Sequence, residues 1–100
     1  MVYNLRISQQ ADVDTLNAID YYDQISPLLG NRFIRELNEA YQKIKNNPEY
    51  YSYISTNPKD KFRDIKLPSF PYLVIFEIFQ TEVIINTVLN THKKPFAPPV

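Results

Sequence analysis

The chain has 100 residues, enough for one domain with a single core and too few for two. It has no cysteine, which excludes disulfides, thiolate metal sites and thiol nucleophiles together and leaves packing to supply stability, as suits a reducing cytoplasm. Eleven basic and eleven acidic side chains cancel, but residues 1–40 carry a net −3 and residues 41–100 a net +3, so any phosphate-facing surface must be local to the second half.

Tyr3, Leu5 and Ile7 alternate with Asn4, Arg6 and Ser8, the period of a strand with one buried face, and predict a strand near residues 2–7. Ser8 can cap the next element, Asp12 and Asp14 suit the positive end of a helix, and Val13, Leu16, Ile19 and Tyr22 recur at helical spacing. A helix over residues 9–24 follows. Ser26-Pro27 restarts the pattern with a cap and a proline that loses no useful donor. Leu29, Phe33, Leu37, Ala40, Tyr41 and Ile44 make the apolar stripe of a second helix, Lys43 and Lys45 favour its negative end, and Asn46-Asn47-Pro48 stops it. Gly30, the only glycine, lies near the start of that stripe and can shift the helix start by a few residues.

Residues 49–60 hold Tyr50, Tyr51 and Tyr53 without sustained period, an irregular but ordered connection. Strands are predicted at 62–67, 72–79 and 83–89, separated by Pro68-Ser69-Phe70-Pro71 and Gln80-Thr81. Tyr72–Phe76 and Val83–Ile85 are apolar on both faces, which makes their strands central. The tail from His92 to Val100 is too rich in proline for helix or strand. The expected class is α+β, a single domain over 1–100 with the order β-α-α-β-β-β, its helical hairpin packed on one face of a mostly antiparallel four-stranded sheet. No run reaches the roughly 18 apolar residues of a membrane span, and Met1–Arg6 lacks the apolar core of an export signal, so a cytoplasmic chain with no membrane role is expected.

Over nearly its whole length the chain resembles the RelE/ParE superfamily of type II toxin–antitoxin toxins, on its ParE-like, plasmid-stabilisation branch. The matching pieces are Tyr3-x-Leu5, Ala11-x-x-Asp14-Thr15-Leu16, Tyr21-Tyr22, Leu29-Gly30-x-x-Phe33-x-x-x-Leu37 and Asn47-Pro48. Arg63-Asp64-Ile65-Lys66-Leu67, Phe70–Phe76 and the closing Val88–Pro95 follow in the family's order. The resemblance implies a toxin that arrests growth by binding a macromolecular target such as DNA gyrase and is neutralised by a cognate antitoxin. Alternatives within the family are a ribosome-dependent endoribonuclease that cuts messenger RNA, and a non-toxic member that only binds an antitoxin. Whether the chain is an enzyme stays open at this point.

RelE-like members cut RNA with a cluster of basic side chains that activate the ribose 2′-hydroxyl and stabilise the phosphorane-like transition state. Aligned on that pattern, Asp64 falls where the first catalytic lysine stands, Lys66 keeps the second, and Leu73 replaces the arginine, removing a bidentate phosphate clamp. Lys93 substitutes for the later arginine, and Pro98-Pro99-Val100 stands where a tyrosine is expected. His92 lies close to the terminal histidine of a related nuclease pattern. ParE-like members commonly have histidine directly after the last strand's Val-Leu, where this chain has Asn90. The catalytic candidates are therefore Arg63, Lys66, His92 and Lys93.

Each feature has a plainer reading. Lys59, Lys61, Arg63 and Lys66 describe a phosphate-facing strip or a solvated sheet face neutralised by Asp60 and Asp64. Arg63 shares strand parity with Ile65 and Leu67, which places its guanidinium beside the core and favours a pairing or ligand role. The early acids read as solvated helix surface rather than a metal site. Tyr50, Tyr51, Tyr53, Phe70, Tyr72 and Phe96 are candidate contacts for antitoxin or target, better suited to packing than to stacking on bases. No phosphate loop, nucleophile triad or metal-ligand spacing is present, so no cofactor, metal or sequence-specific DNA contact is expected.

Overall fold

A computed structural model describes residues 2–56 and 59–92. It holds strand β1 (Asn4–Ile7), helices α1 (Gln9–Ile25) and α2 (Pro27–Asn46), a 3-10 turn (Pro48–Tyr50), and strands β2 (Arg63–Lys66), β3 (Tyr72–Phe79) and β4 (Glu82–Asn90). The tail beyond His92, with Lys93 and Phe96, lies outside the described residues.

Both helix starts follow from serine chemistry. Ser8 accepts a hydrogen bond from the Ala11 amide at 3.0 Å and Ser26 one from Leu28 at 3.3 Å, and Pro27 opens α2 where its missing donor costs nothing. Gly30 does not delay α2. It lies inside the helix because the hairpin closes tightly there: a Cβ at Gly30 would stand 1.7 Å from Oδ1 of Asp23.

The sheet order is β1-β4-β3-β2, so the two strands apolar on both faces are the central ones. β2-β3-β4 is the expected antiparallel meander, and β1 joins β4 in parallel, with Leu5 opposite Val83. The core lies between the helices and one face of the sheet. Phe33, Leu37 and Ile44 of α2 meet Val74 and Phe76 of β3 and Val83, Ile85 and Val88 of β4. Tyr22, Phe33, Phe70 and Tyr72 form a cluster of mostly edge-on rings with centroids 4.7–6.3 Å apart, a favoured aromatic arrangement. The opposite face carries Leu73, Ile84 and Leu89 half-buried and Ile75 fully buried.

Two irregularities shape β4. Ile75 pairs with Thr87 and Phe76 with Ile85, leaving Asn86 as the extra residue of a bulge. β1 ends opposite Ile85, and past that point α1 takes over the exposed edge. Asp14 of α1 accepts from the Val88 amide at 3.0 Å and from the Thr87 hydroxyl, doing for β4 what a strand carbonyl would have done. The β3-β4 turn is a two-residue loop in which Gln80 takes φ 56°, a left-handed conformation glycine would adopt without strain.

Candidate functional site

The basic candidates occupy separate parts of the fold. Arg63 pairs with Phe76 on the helix side of β2. Its guanidinium donates to the carbonyls of Glu49 at 3.2 Å and Tyr51 at 2.6 Å and to the Tyr53 hydroxyl at 2.8 Å. It also stands 4.0 Å from the centroid of the Tyr53 ring, a cation–π distance. This arginine therefore ties the tyrosine segment to the sheet edge. Lys66 pairs with Leu73 and projects from the opposite face, exposed.

The alternation of side chains places Asp64, Glu77 and Glu82 on that same outer face, with Arg6 as a second cation 3.9 Å from Glu82. Burial holds the Asp64 carboxyl above the ordinary carboxylate range. Among the described residues the face carries three carboxylates against two cations, so a phosphate chain gains little field there.

His92 follows β4 on the helix side. Its backbone N–H donates to Oδ1 of Asn90 at 2.9 Å, and it borders a cleft of about 330 Å³ with Asn17, Tyr21, Tyr22, Pro71, Tyr72 and Asn90. The structure thus sets Arg63, Lys66 and His92 in three places rather than around one point.

The aromatic candidates divide in two. Tyr50 and Tyr53 are 76% and 55% exposed and Tyr51 packs edge-on against Phe76, so this segment presents an aromatic border beside β2. Tyr53 bridges only Arg63, which leaves the outer edge of β2 beyond it without a strand partner among the described residues. Phe70 and Tyr72 are 5% and 6% exposed and belong to the core, with Tyr72 also reaching the cleft.

Glu36 supports the turn before β3. Burial pushes its carboxyl up, but bonds from Ser69 and the Arg32 guanidinium more than reverse this and hold it below the ordinary range. Burial pushes the Tyr41 hydroxyl up to about 12. The roles of Asp14, Glu36 and the cleft have no local signature in the sequence, because each joins segments far apart along the chain. The one available signal was Asn17 and Tyr21 at i, i+4 on the outward face of α1. Among the described residues no group of three or more His, Asp or Glu is arranged to hold a metal ion, and no helix is long and apolar enough to cross a membrane.

Comparison with known proteins meets this geometry. A solved structure described as the chromosomal ParDE TA system from P. aeruginosa superposes with a TM-score of 0.74 at 18% identity, covering 87% of this chain and 94% of that one. At that identity it speaks for the fold alone. No curated protein matches the sequence significantly. Residues 5–95 match the family model of the ParE toxin of the type II toxin–antitoxin system parDE. With nearly the whole chain covered, the protein belongs to the ParE toxin family.

Proposed function

We propose that this chain is a cytoplasmic growth-arresting toxin that acts by binding DNA gyrase, and that a cognate antitoxin neutralises it. The observation that carries the binding mode is the dispersal of the basic side chains. Arg63 is engaged with Glu49, Tyr51 and Tyr53, and Lys66 stands on a face where carboxylates outnumber cations. Cleavage of RNA needs converging donors that stabilise a doubly charged phosphorane, and isolated cations supply little of that. Binding needs only a surface.

The antitoxin is assigned to the border formed by Tyr50, Tyr51 and Tyr53 and to the free edge of β2, where an extended segment adds a strand through backbone hydrogen bonds. A cognate antitoxin is the partner that membership of the ParE toxin family of type II toxin–antitoxin systems supports.

The test is induction in a bacterium lacking the antitoxin, with growth, plasmid topology and message integrity followed in one culture. Arrest with altered supercoiling and intact message is the expected result. Cut message, abolished by His92→Ala, would establish the nuclease instead, and no arrest would leave a member that only binds its antitoxin.

A further inference from the structure

The helices cover one face of the sheet, yet the opposite face is not built for water. Leu73 and Ile75 of β3 with Ile84 and Leu89 of β4 form an apolar strip across its centre, half-buried except for Ile75, which is fully buried. Ile75 does not belong to the cluster under the helices. Asp64 stands opposite it on β2, and burial is the one cause that raises its carboxyl, with no cation to offset it among the described residues. At the bulge beside the strip, Nδ2 of Asn86 is buried with no hydrogen-bond partner, a donor that is costly to leave unmet.

Residues 93–100, Lys93-Lys94-Pro95-Phe96-Ala97-Pro98-Pro99-Val100, have the composition this strip calls for. The chain leaves β4 in a turn at Thr91 and His92, where the Thr91 N–H and hydroxyl both donate to the Pro71 carbonyl, so it departs beside the start of β3. Leu73 and Leu89, paired across the two strands, are the nearest part of the strip. Eight residues in an extended polyproline form span about 25 Å, and three strand spacings come to about 14 Å, so the segment can cross the whole sheet. Its three prolines lack the N–H groups that extending a sheet edge requires, which leaves side chains laid over a face as its way to bind.

We infer that residues 93–100 of this chain fold back over the outer face of the sheet and cover its apolar strip. Phe96 lies on Leu73 and Ile75, a lysine of the Lys93-Lys94 pair comes to Asp64, and the segment's backbone, engaged in no ladder, offers a carbonyl to Asn86. The charge fits this occupant. Arg6 is 3.9 Å from Glu82, so Asp64 and Glu77 share Lys66 and the face keeps one carboxylate in excess, while residues 93–100 bring two lysines and no acid. A second copy laid face to face would set Asp64 and Glu77 against their own kind.

The test uses the full chain in solution and does not depend on growth. Nuclear Overhauser contacts should join the Phe96 ring to the methyl groups of Leu73, Ile75 and Leu89. Phe96→Ala should lower the melting temperature by about 4 °C or more, and Phe96→Leu should recover most of that loss. Lys93→Glu with Lys94→Glu should cost less, and more at low salt than at high. A chain ending at His92 should bind more of an apolar dye than the full chain; should it fail to fold, the contacts and the Phe96 variants still decide. Contacts from Phe96 to the Tyr21 or Tyr22 ring would put the segment in the cleft on the helix side and overturn the assignment. Contacts that prove intermolecular, or no long-range contact together with an unchanged melting temperature in Phe96→Ala, would overturn it equally.

Discussion

Side chains of opposite charge tie the two sides of the sheet to neighbouring segments. On the β1 side the sheet runs out of strand past Ile85, and a carboxylate from α1 accepts the Val88 amide and the Thr87 hydroxyl. On the β2 side a guanidinium gathers the carbonyls of Glu49 and Tyr51 and the Tyr53 hydroxyl. The first device supplies an acceptor to orphaned donors and lets a helix finish the sheet. The second supplies donors to orphaned carbonyls and holds an aromatic segment that helix and strand propensity do not specify. A charged residue within a strand or helix of this fold therefore need not report on ligands, since backbone satisfaction at an edge demands the same side chains.

Removing the β2 device should have the larger effect. Arg63→Ala takes the donor from the exposed Glu49 and part-buried Tyr51 carbonyls and from Tyr53 together and should cost about 2 kcal/mol, seen as a melting temperature lower by roughly 10 °C. It should also speed amide exchange at Ile54, whose N–H bonds the Phe62 carbonyl. Little change in exchange there would mean that the tyrosine segment holds itself. Asp14→Ala should cost about 1–2 kcal/mol through the stranded Val88 amide, with faster exchange confined to the C-terminal half of β4.

Two carboxyls sharpen the contrast through pH. Glu36 is held below its ordinary value, so its contribution is full above the unfolded-state value and is lost as pH falls through the lower, folded one. Denaturant melts from neutrality into acid should show a shallower decline for Glu36→Gln than for the parent. Asp64 is raised by burial, so its ionisation opposes folding once pH exceeds the folded value. Asp64→Asn should stabilise the protein slightly at neutral pH, with the gain fading as pH falls below the ordinary carboxylate range. The smallest effect is at the hairpin between the central strands, where Gln80→Gly relieves a positive φ and should add about 0.5 kcal/mol; a loss of stability would show that the turn is unstrained.

Periodicity and capping residues carried most of the architecture. Ser8, Ser26 and Pro27 start the helices where their chemistry says, and the apolar runs of β3 and β4 mark the sheet's centre. The parallel placement of β1 beside β4 was not legible, because a four-residue alternating strand specifies a buried face and not a neighbour. At the site, strand parity placed Arg63 beside the core, but its acceptors come from a segment whose irregular backbone no pattern announces. The cleft was invisible for a similar reason, joining Asn17 to Asn90 and His92 across most of the chain.

In the function proposed above, the toxin works by occupying a protein and not by cutting RNA. The most direct measurement places the purified chain in two parallel reactions, one with gyrase and supercoiled plasmid, the other with translating ribosomes and a defined message. Inhibited supercoiling or trapped DNA breaks, with the message intact and with Lys66→Ala and His92→Ala as active as the parent, is the predicted result. Message cut at the ribosome and spared by either substitution, with gyrase unaffected, would contradict it.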